Sequence, residues 1–275
     1  MNIKDFIPPI LVGFAKRARG LENSKEYENF ESAMKDCSSE SYQNVELCNM
    51  IADKTVLYGA LLKERPFSVN QTNVFLLAAI NQYLIVNSTK EISILDFGGA
   101  CGAHYFEVRS LIPRDISINW YVVETEQMVL SAMGRSLNNN ELSFVSSIDD
   151  IKVKTDFLHS SSALQYVDAP YQFIDRLLKV NANWLFFNRM MFNENDRDIV
   201  TVQKSFLSSN GPGILPKGYS DRMISYPHTT MSIQKFNKII LSQGFKDEWV
   251  FLESSGSHKI KNENICGRGM LYIKK

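Results

Sequence analysis

The rhythm of apolar and polar positions changes near residue 91. Before it, apolar residues recur every three or four positions through 27–35 and 45–62, and 73–86 is apolar nearly all round. The first two spacings predict amphipathic helices and the third a largely buried one. Arg65-Pro66, within 63–70, predicts a break between helices, because a residue preceding proline is pushed out of the helical region. Beyond residue 91, short apolar runs at 92–97, 118–124, 142–145, 156–160 and 184–188 alternate with amphipathic stretches at 104–112, 126–137 and 171–180. Strand and helix alternating at this spacing predict βαβ units and a parallel sheet. Right-handed crossovers then set the C-terminal ends of the strands along one ligand-binding edge.

The last third departs from the alternation. Residues 190–230 are rich in Asn, Ser, Gly and Pro and read as an insertion after the fifth strand, either a lid over a site or an excursion without fixed structure. A helix at about 232–242 and closing strands at 245–252 and 269–273 follow, the last two forming an antiparallel pair. The expected organisation is a helical extension over 1–90 and an α/β domain over 91–275 that carries the insertion at about 190–230.

Composition narrows the function classes. Lys+Arg and Asp+Glu are equal at 30 each, so no basic footprint predicts a nucleic-acid partner. No stretch approaches the roughly 20 apolar residues of a membrane span, and the start lacks a signal-peptide pattern, so a cytoplasmic protein is expected. The run Phe6-Ile7-Pro8-Pro9-Ile10-Leu11-Val12, followed by Lys16-Arg17-Ala18-Arg19, reads as a packed arm or as a peripheral contact with an anionic membrane. Cys37, Cys48, Cys101 and Cys266 form no CxxC pair and the four histidines are dispersed, so free thiols and no metal site are expected. The oligomeric state leaves no trace in the sequence.

The candidate chemistry begins at Ile94-Leu95-Asp96-Phe97-Gly98-Gly99-Ala100-Cys101-Gly102, an apolar strand running into a glycine cluster ahead of a helix. Glycines accept positive φ and let backbone approach a ligand, and the helix start offers free N–H groups. Glu124 ends the next strand 22 residues after Gly102, where a carboxylate accepts bonds from both hydroxyls of a ribose. A GxGxxG dinucleotide loop does not fit the spacing of Gly98, Gly99 and Gly102.

Asp96-Phe97-Gly98-Gly99-Ala100-Cys101-Gly102 and Glu124 together resemble the class I S-adenosylmethionine-dependent methyltransferases. Their first motif is a D-x-G-x-G-x-G loop and their second strand ends in a ribose-binding acid; here Ala100 replaces the middle glycine and Gly99 is additional. Phe6-Ile7-Pro8-Pro9, Tyr27-Glu28-Asn29-Phe30-Glu31-Ser32-Ala33, Val122-Val123-Glu124 and Ser161-Ser162-Ala163-Leu164-Gln165-Tyr166 narrow the similarity. They are similar to a bacterial putative methyltransferase family associated with cell-surface polysaccharide biosynthesis, over nearly the whole chain. The resemblance implies a Rossmann-like fold, with a mostly parallel seven-stranded sheet and a closing antiparallel strand. It also implies S-adenosyl-L-methionine as cofactor and a small-molecule or glycan acceptor. Asp96, Gly98, Gly99, Gly102 and Glu124 would hold the cofactor, with Ser147 and Ile148 beside the adenine and Ser160 near the sulfonium.

Methyl transfer is an in-line displacement in which the enzyme positions the acceptor and a base takes its hydroxyl proton. His159, His104 and His228 are candidate bases, each with a structural role as the alternative. His104, Tyr105, Tyr166 and Tyr226 are candidates for the acceptor pocket. Arg189, after the fifth strand, is expected either to bind a phosphate or carboxylate on the acceptor or to pair with Asp156 or Asp196. The alternatives to O-methylation of a sugar are a non-catalytic scaffold keeping the fold within a biosynthetic complex, and transfer of a larger group from a modified form of the same cofactor.

Overall fold

The computed structural model describes residues 25–37, 44–64, 67–260 and 262–275, with 254–259 described through their backbone alone. The arm at 6–19, with the membrane contact expected of it, and Arg65-Pro66 lie outside the described residues.

Three helices precede the sheet: α1 (Phe30–Lys35), α2 (Val45–Leu61) and α3 (Gln71–Val86). Each starts at an asparagine whose side chain accepts a backbone N–H that the helix cannot itself satisfy. Asn29 takes the amide of Ser32, Asn44 that of Leu47, and Asn70 that of Thr72.

The alternating region folds in the order β1 (Glu91–Phe97), α4 (Ala103–Leu111), β2 (Ser117–Val123), α5 (Glu126–Met133), β3 (Leu142–Val145), β4 (Phe157–Ser161), α6 (Pro170–Leu178) and β5 (Trp184–Asn193). It continues with β6 (Ile199–Phe206), β7 (Met223–Ser232), α7 (Ile233–Ser242), β8 (Phe245–Ile260) and β9 (Glu263–Lys274). Strands β3, β2, β1, β4 and β5 lie side by side in that order, all parallel. β9 runs antiparallel along β5, and β8 antiparallel along β9, so the main sheet reads β3-β2-β1-β4-β5-β9-β8. Among these seven strands only β9 opposes the rest. This is the Rossmann-like, seven-stranded sheet with one antiparallel closing strand that the alternation and the resemblance predict. The chain leaves β1 for one side of the sheet and returns at β4 to build the other. That reversal opens a crevice beyond the C-terminal ends of β1 and β4.

Two apolar layers cover the sheet, because successive strand residues point to opposite faces. On one, Leu47, Ile51, Leu76 and Ile80 of α2 and α3 pack with Val108 of α4, Met128 of α5, and the sheet residues Trp120, Phe157 and Phe186. The helices before residue 91 thus complete this layer. On the other, Ile174 and Leu177 of α6 and Phe236 and Ile240 of α7 cover Leu95, Leu158 and Phe187. Trp120, Phe157 and Phe186 are fully buried, each worth about 1.5–3 kcal/mol relative to exposure.

The polar stretch 190–230 holds regular structure. β5 continues to Asn193, and β6 and β7 pair from Ile199↔Thr230 to Phe206↔Met223. This hairpin joins the sheet through Phe192↔Met231 and Asn193↔Ser232. Pro227, which lacks an N–H for a ladder, stands where β7 is paired on one side only. Among the described residues no helix is long and apolar enough to cross a membrane.

Candidate active site

β1 ends at Phe97 and the chain turns through residues with φ of +71° at Gly98, +49° at Ala100 and +82° at Gly102. The glycines are required by close packing. A Cβ on Gly98 would stand 2.1 Å from the methyl of Ala163, and one on Gly99 would stand 2.4 Å from the Asp96 carboxylate. Ala100 accepts the left-handed conformation despite its side chain, and its N–H donates to Glu124 Oε1 at 3.0 Å. The loop and the end of β2 therefore meet directly.

The Thr125 N–H donates to the other oxygen, Glu124 Oε2, at 2.9 Å. Burial pushes the Glu124 carboxyl up to about 6, against the stabilising pull of the Thr125 and Ala100 amides. An ionised carboxylate has about four acceptor sites, so two remain for a ligand on the cleft wall that Glu124 lines.

Behind the loop, Asp96 is fully buried and accepts three N–H groups. His159 Nδ1–H reaches Oδ1 at 2.8 Å, His104 Nδ1–H reaches Oδ2 at 3.3 Å, and Trp120 Nε1–H reaches Oδ2 at 3.2 Å. Burial opposes the charge, but the two imidazoles outweigh it and hold the Asp96 carboxyl below the usual carboxylate range. Burial pulls His159 below the ordinary histidine value, against the opposing pull of Asp96. Ligand atoms of Asp96, His104 and His159 lie within 4.8 Å of one another, close enough to hold a cation. Here the same atoms are joined by hydrogen bonds.

Helical geometry separates His104 from its neighbour. Adjacent helix residues point about 100° apart, whereas residues three apart share a face. His104 and Glu107 both line the cleft. Tyr105 turns into the core and donates to Glu141 at 2.8 Å. Glu107 is buried and accepts from Tyr58, from the Asn70 amide at 2.6 Å and from Asn73 at 2.8 Å, which ties α2 and α3 to the cleft wall.

The cleft has a volume of about 1920 Å³. Single-ligand pockets run to about 300–1,000 Å³, so this one has room for two molecules. Gly98, Gly99, Glu124, Ser147 and Ile148 line the end beside the loop. His104, Tyr166, Arg189, Tyr226 and His228 line the same cleft, the last four from β5, the β6–β7 hairpin and the 3-10 turn Ala163–Tyr166. Five predicted residues stand outside the lining. Asp96 and His159 form the floor behind the loop, and Tyr105 faces the core. Gly102 packs against Leu142 and Phe144 at the start of α4. Ser160 Oγ donates to the Phe97 carbonyl at 3.1 Å, a bond between β4 and β1.

Ser161, one position beyond the Ser160 singled out in the sequence, lines the cleft instead, and its buried hydroxyl has no partner among the described residues. The signal for it was strand alternation: His159 and Ser161 share one face and Ser160 takes the other. On the hairpin side, Tyr166 donates to Gln203 at 2.9 Å, and its ring meets Tyr226 and His228 edge-on, each at 5.3 Å. The Tyr226 and Ser205 hydroxyls share a hydrogen bond of 2.7 Å.

Ordered donors and acceptors at a strand-end cleft fit an adenosyl group. Glu124 has acceptor sites for a vicinal diol, Ser161 an orphaned hydroxyl, and Ile148 an apolar wall for a flat base.

No family model and no curated protein matches the chain. Among solved structures it is similar to an S-adenosylmethionine-dependent methyltransferase from Clostridium acetobutylicum, at 12% identity over 80% of this chain and 96% of that one, with a TM-score of 0.44. The CcbJ methyltransferase from Streptomyces caelestis is 9% identical over 82% of this chain and 98% of its own, with a TM-score of 0.48. CalS10, an amino pentose methyltransferase from Micromonospora echinaspora, is 11% identical over 80% and 97%, with a TM-score of 0.44.

Proposed function

We propose that this protein is an S-adenosyl-L-methionine-dependent methyltransferase that O-methylates a sugar or glycan in surface polysaccharide biosynthesis. The observation that carries the donor assignment is the Glu124 carboxylate. Two backbone amides hold it beside the Gly98–Gly102 loop, and it keeps acceptor capacity toward the cleft. The sugar acceptor is supported by the sequence resemblance. The four free cysteines fit a reducing cytoplasm.

The bound donor supplies an electrophilic methyl group on a sulfonium. Glu124 would accept the two ribose hydroxyls, and Ile148 and Ser147 would hold the base. His104 is the best-placed base. Asp96 holds its Nδ1–H at 3.3 Å, so the neutral ring keeps a free lone pair on Nε2, and the residue lines the cleft next to the loop. It would take the acceptor hydroxyl's proton and pass it to solvent. Asp96 positions that tautomer and stabilises the imidazolium, the division of labour found in Asp–His pairs of hydrolases. His159 is too deeply buried to reach an acceptor and serves to orient Asp96.

Calorimetry with S-adenosylhomocysteine tests the donor site, and mass spectrometry of a sugar treated with enzyme and donor tests the transfer. Absence of binding by the demethylated cofactor refutes the enzyme assignment and leaves the scaffold alternative. A mass gain larger than one methyl points to a modified cofactor.

A further inference from the structure

We propose that Arg189 anchors an anionic group of the acceptor, a carboxylate or a phosphate, so that the substrate is a charged sugar. The inference rests on the donor site assigned above and specifies what occupies the other half of the cleft.

Arg189 lies inside β5 where the ladder to β9 breaks register between Phe187 and Met190. Its φ is +56°, a conformation that side chains other than glycine, asparagine and aspartate seldom adopt. Buried side chains hold it there from both sides. Its N–H donates to Glu253 Oε1 of β8 at 2.6 Å, and its carbonyl accepts from Gln165 Nε2 of the Ala163–Tyr166 turn at 3.2 Å. Gln165 also accepts the amide of Met191 at 2.5 Å, clamping the far side of the bulge. Gln165 is 1% exposed and Glu253 9%. Strain maintained by buried polar partners marks positions where the resulting side-chain direction matters.

That direction is into the cleft. Arg189 is exposed and lines it, and among the described residues its guanidinium has no hydrogen bond or ion pair. The pairings weighed from sequence are not made: Asp156 accepts the Ser93 amide at 3.0 Å, and Asp196 accepts the Ser232 hydroxyl at 3.2 Å. The cleft-lining carboxylates are Glu107, saturated by Tyr58, Asn70 and Asn73, and Glu124 at the donor end. The Glu253 carboxylate, which accepts the Arg189 N–H, lies within electrostatic reach of the guanidinium but makes no ion pair with it; an exposed guanidinium without an ion-pair partner among the described residues suits a carboxylate or phosphate, which it grips through two parallel N–H bonds. Tyr166 and His228 stand on the neighbouring wall to cover the sugar ring.

The test is calorimetry on the full chain saturated with S-adenosylhomocysteine, titrated with glucose 1-phosphate, glucuronate and glucose. We expect one or both anionic sugars to bind at least tenfold more tightly than glucose; which one does so distinguishes phosphate from carboxylate. Arg189→Asn, which tolerates the left-handed backbone, should erase the preference while keeping the melting temperature. Arg189→Lys, which keeps the charge but not the planar fork, should retain part of it. Equal affinity for the three sugars, no binding by either anionic sugar, or an unchanged preference in folded Arg189→Asn overturns the inference. Failure of S-adenosylhomocysteine to bind is a separate result that refutes the donor site instead.

Discussion

With Glu124 as the proposed ribose clamp, its replacement by alanine should remove two hydrogen bonds from ribose hydroxyls to a carboxylate. Hydrogen bonds to charged groups contribute about 1.5–3 kcal/mol each, so even the lower figure for both gives about 3 kcal/mol. That is a weakening on the order of 150-fold in the dissociation constant for S-adenosylhomocysteine. The environment of the carboxyl adds a second signature. With its pKa raised to about 6 in the free protein, Glu124 is only about one-tenth ionised at pH 5 and about nine-tenths at pH 7. Hydroxyl donors prefer the ionised form, so wild-type affinity should rise roughly tenfold between those two values. The alanine variant should lack that part of the rise. Isothermal titration of both proteins at pH 5, 6 and 7 reads both effects, and the difference between them cancels titrations elsewhere. A variant that binds within threefold of wild type at pH 7, or a pH dependence identical in both proteins, refutes the ribose-clamp reasoning.

Other outcomes follow from the same geometry. His104→Ala should reduce kcat by roughly 10²–10⁴-fold while leaving S-adenosylhomocysteine affinity within about threefold; equal loss in both measurements would make the residue a donor-binding group. Gly98→Ala should destabilise the fold by about 3 kcal/mol in urea melts, from the left-handed backbone and the 2.1 Å approach to Ala163, and Ala163→Gly in the same chain should restore part of the loss. Glu124 also imposes a pH-dependent cost on the ligand-free protein. Its carboxyl titrates at about 6 folded against an ordinary 4.5, so the native state holds more protons in that window and stability falls by about 2 kcal/mol as pH rises through it. Glu124→Gln should flatten this contribution in melts at pH 4 and pH 7. Lys54 is 1% exposed and its ammonium donates to the carbonyls of Ser208, Asn210 and Gly211 at 2.8, 2.6 and 3.2 Å. Lys54→Met should cost about 3 kcal/mol and open the loop between β6 and β7 to protease, as orphaned carbonyls lose their partner.

The local pattern of the chain determined the sheet. Apolar runs at 92–97, 118–124 and 142–145 became β1, β2 and β3 with ends shifted by no more than one residue, because strand and helix periodicities are properties of neighbouring residues. The glycine loop and Glu124 were legible for the same reason: parallel pairing of β1 with β2 brings their C-terminal ends together wherever the rest of the chain goes. Tertiary structure alone decided the remainder. Whether His104, Tyr105, His159 or Ser161 faces the cleft depends on how α4 and β4 are rotated against the layers around them, a packing choice no short segment contains. The hairpin in 190–230 was hidden because its polar strands are stabilised by pairing with each other and with β5, between residues up to 39 apart, and by packing under Tyr166. The posture of Arg189 arises still further away, from Glu253 and Gln165, which meet only after β8 and the Ala163–Tyr166 turn close on β5. Periodicity sets which elements form, whereas the direction of each side chain follows from contacts that exist only once distant elements share a core.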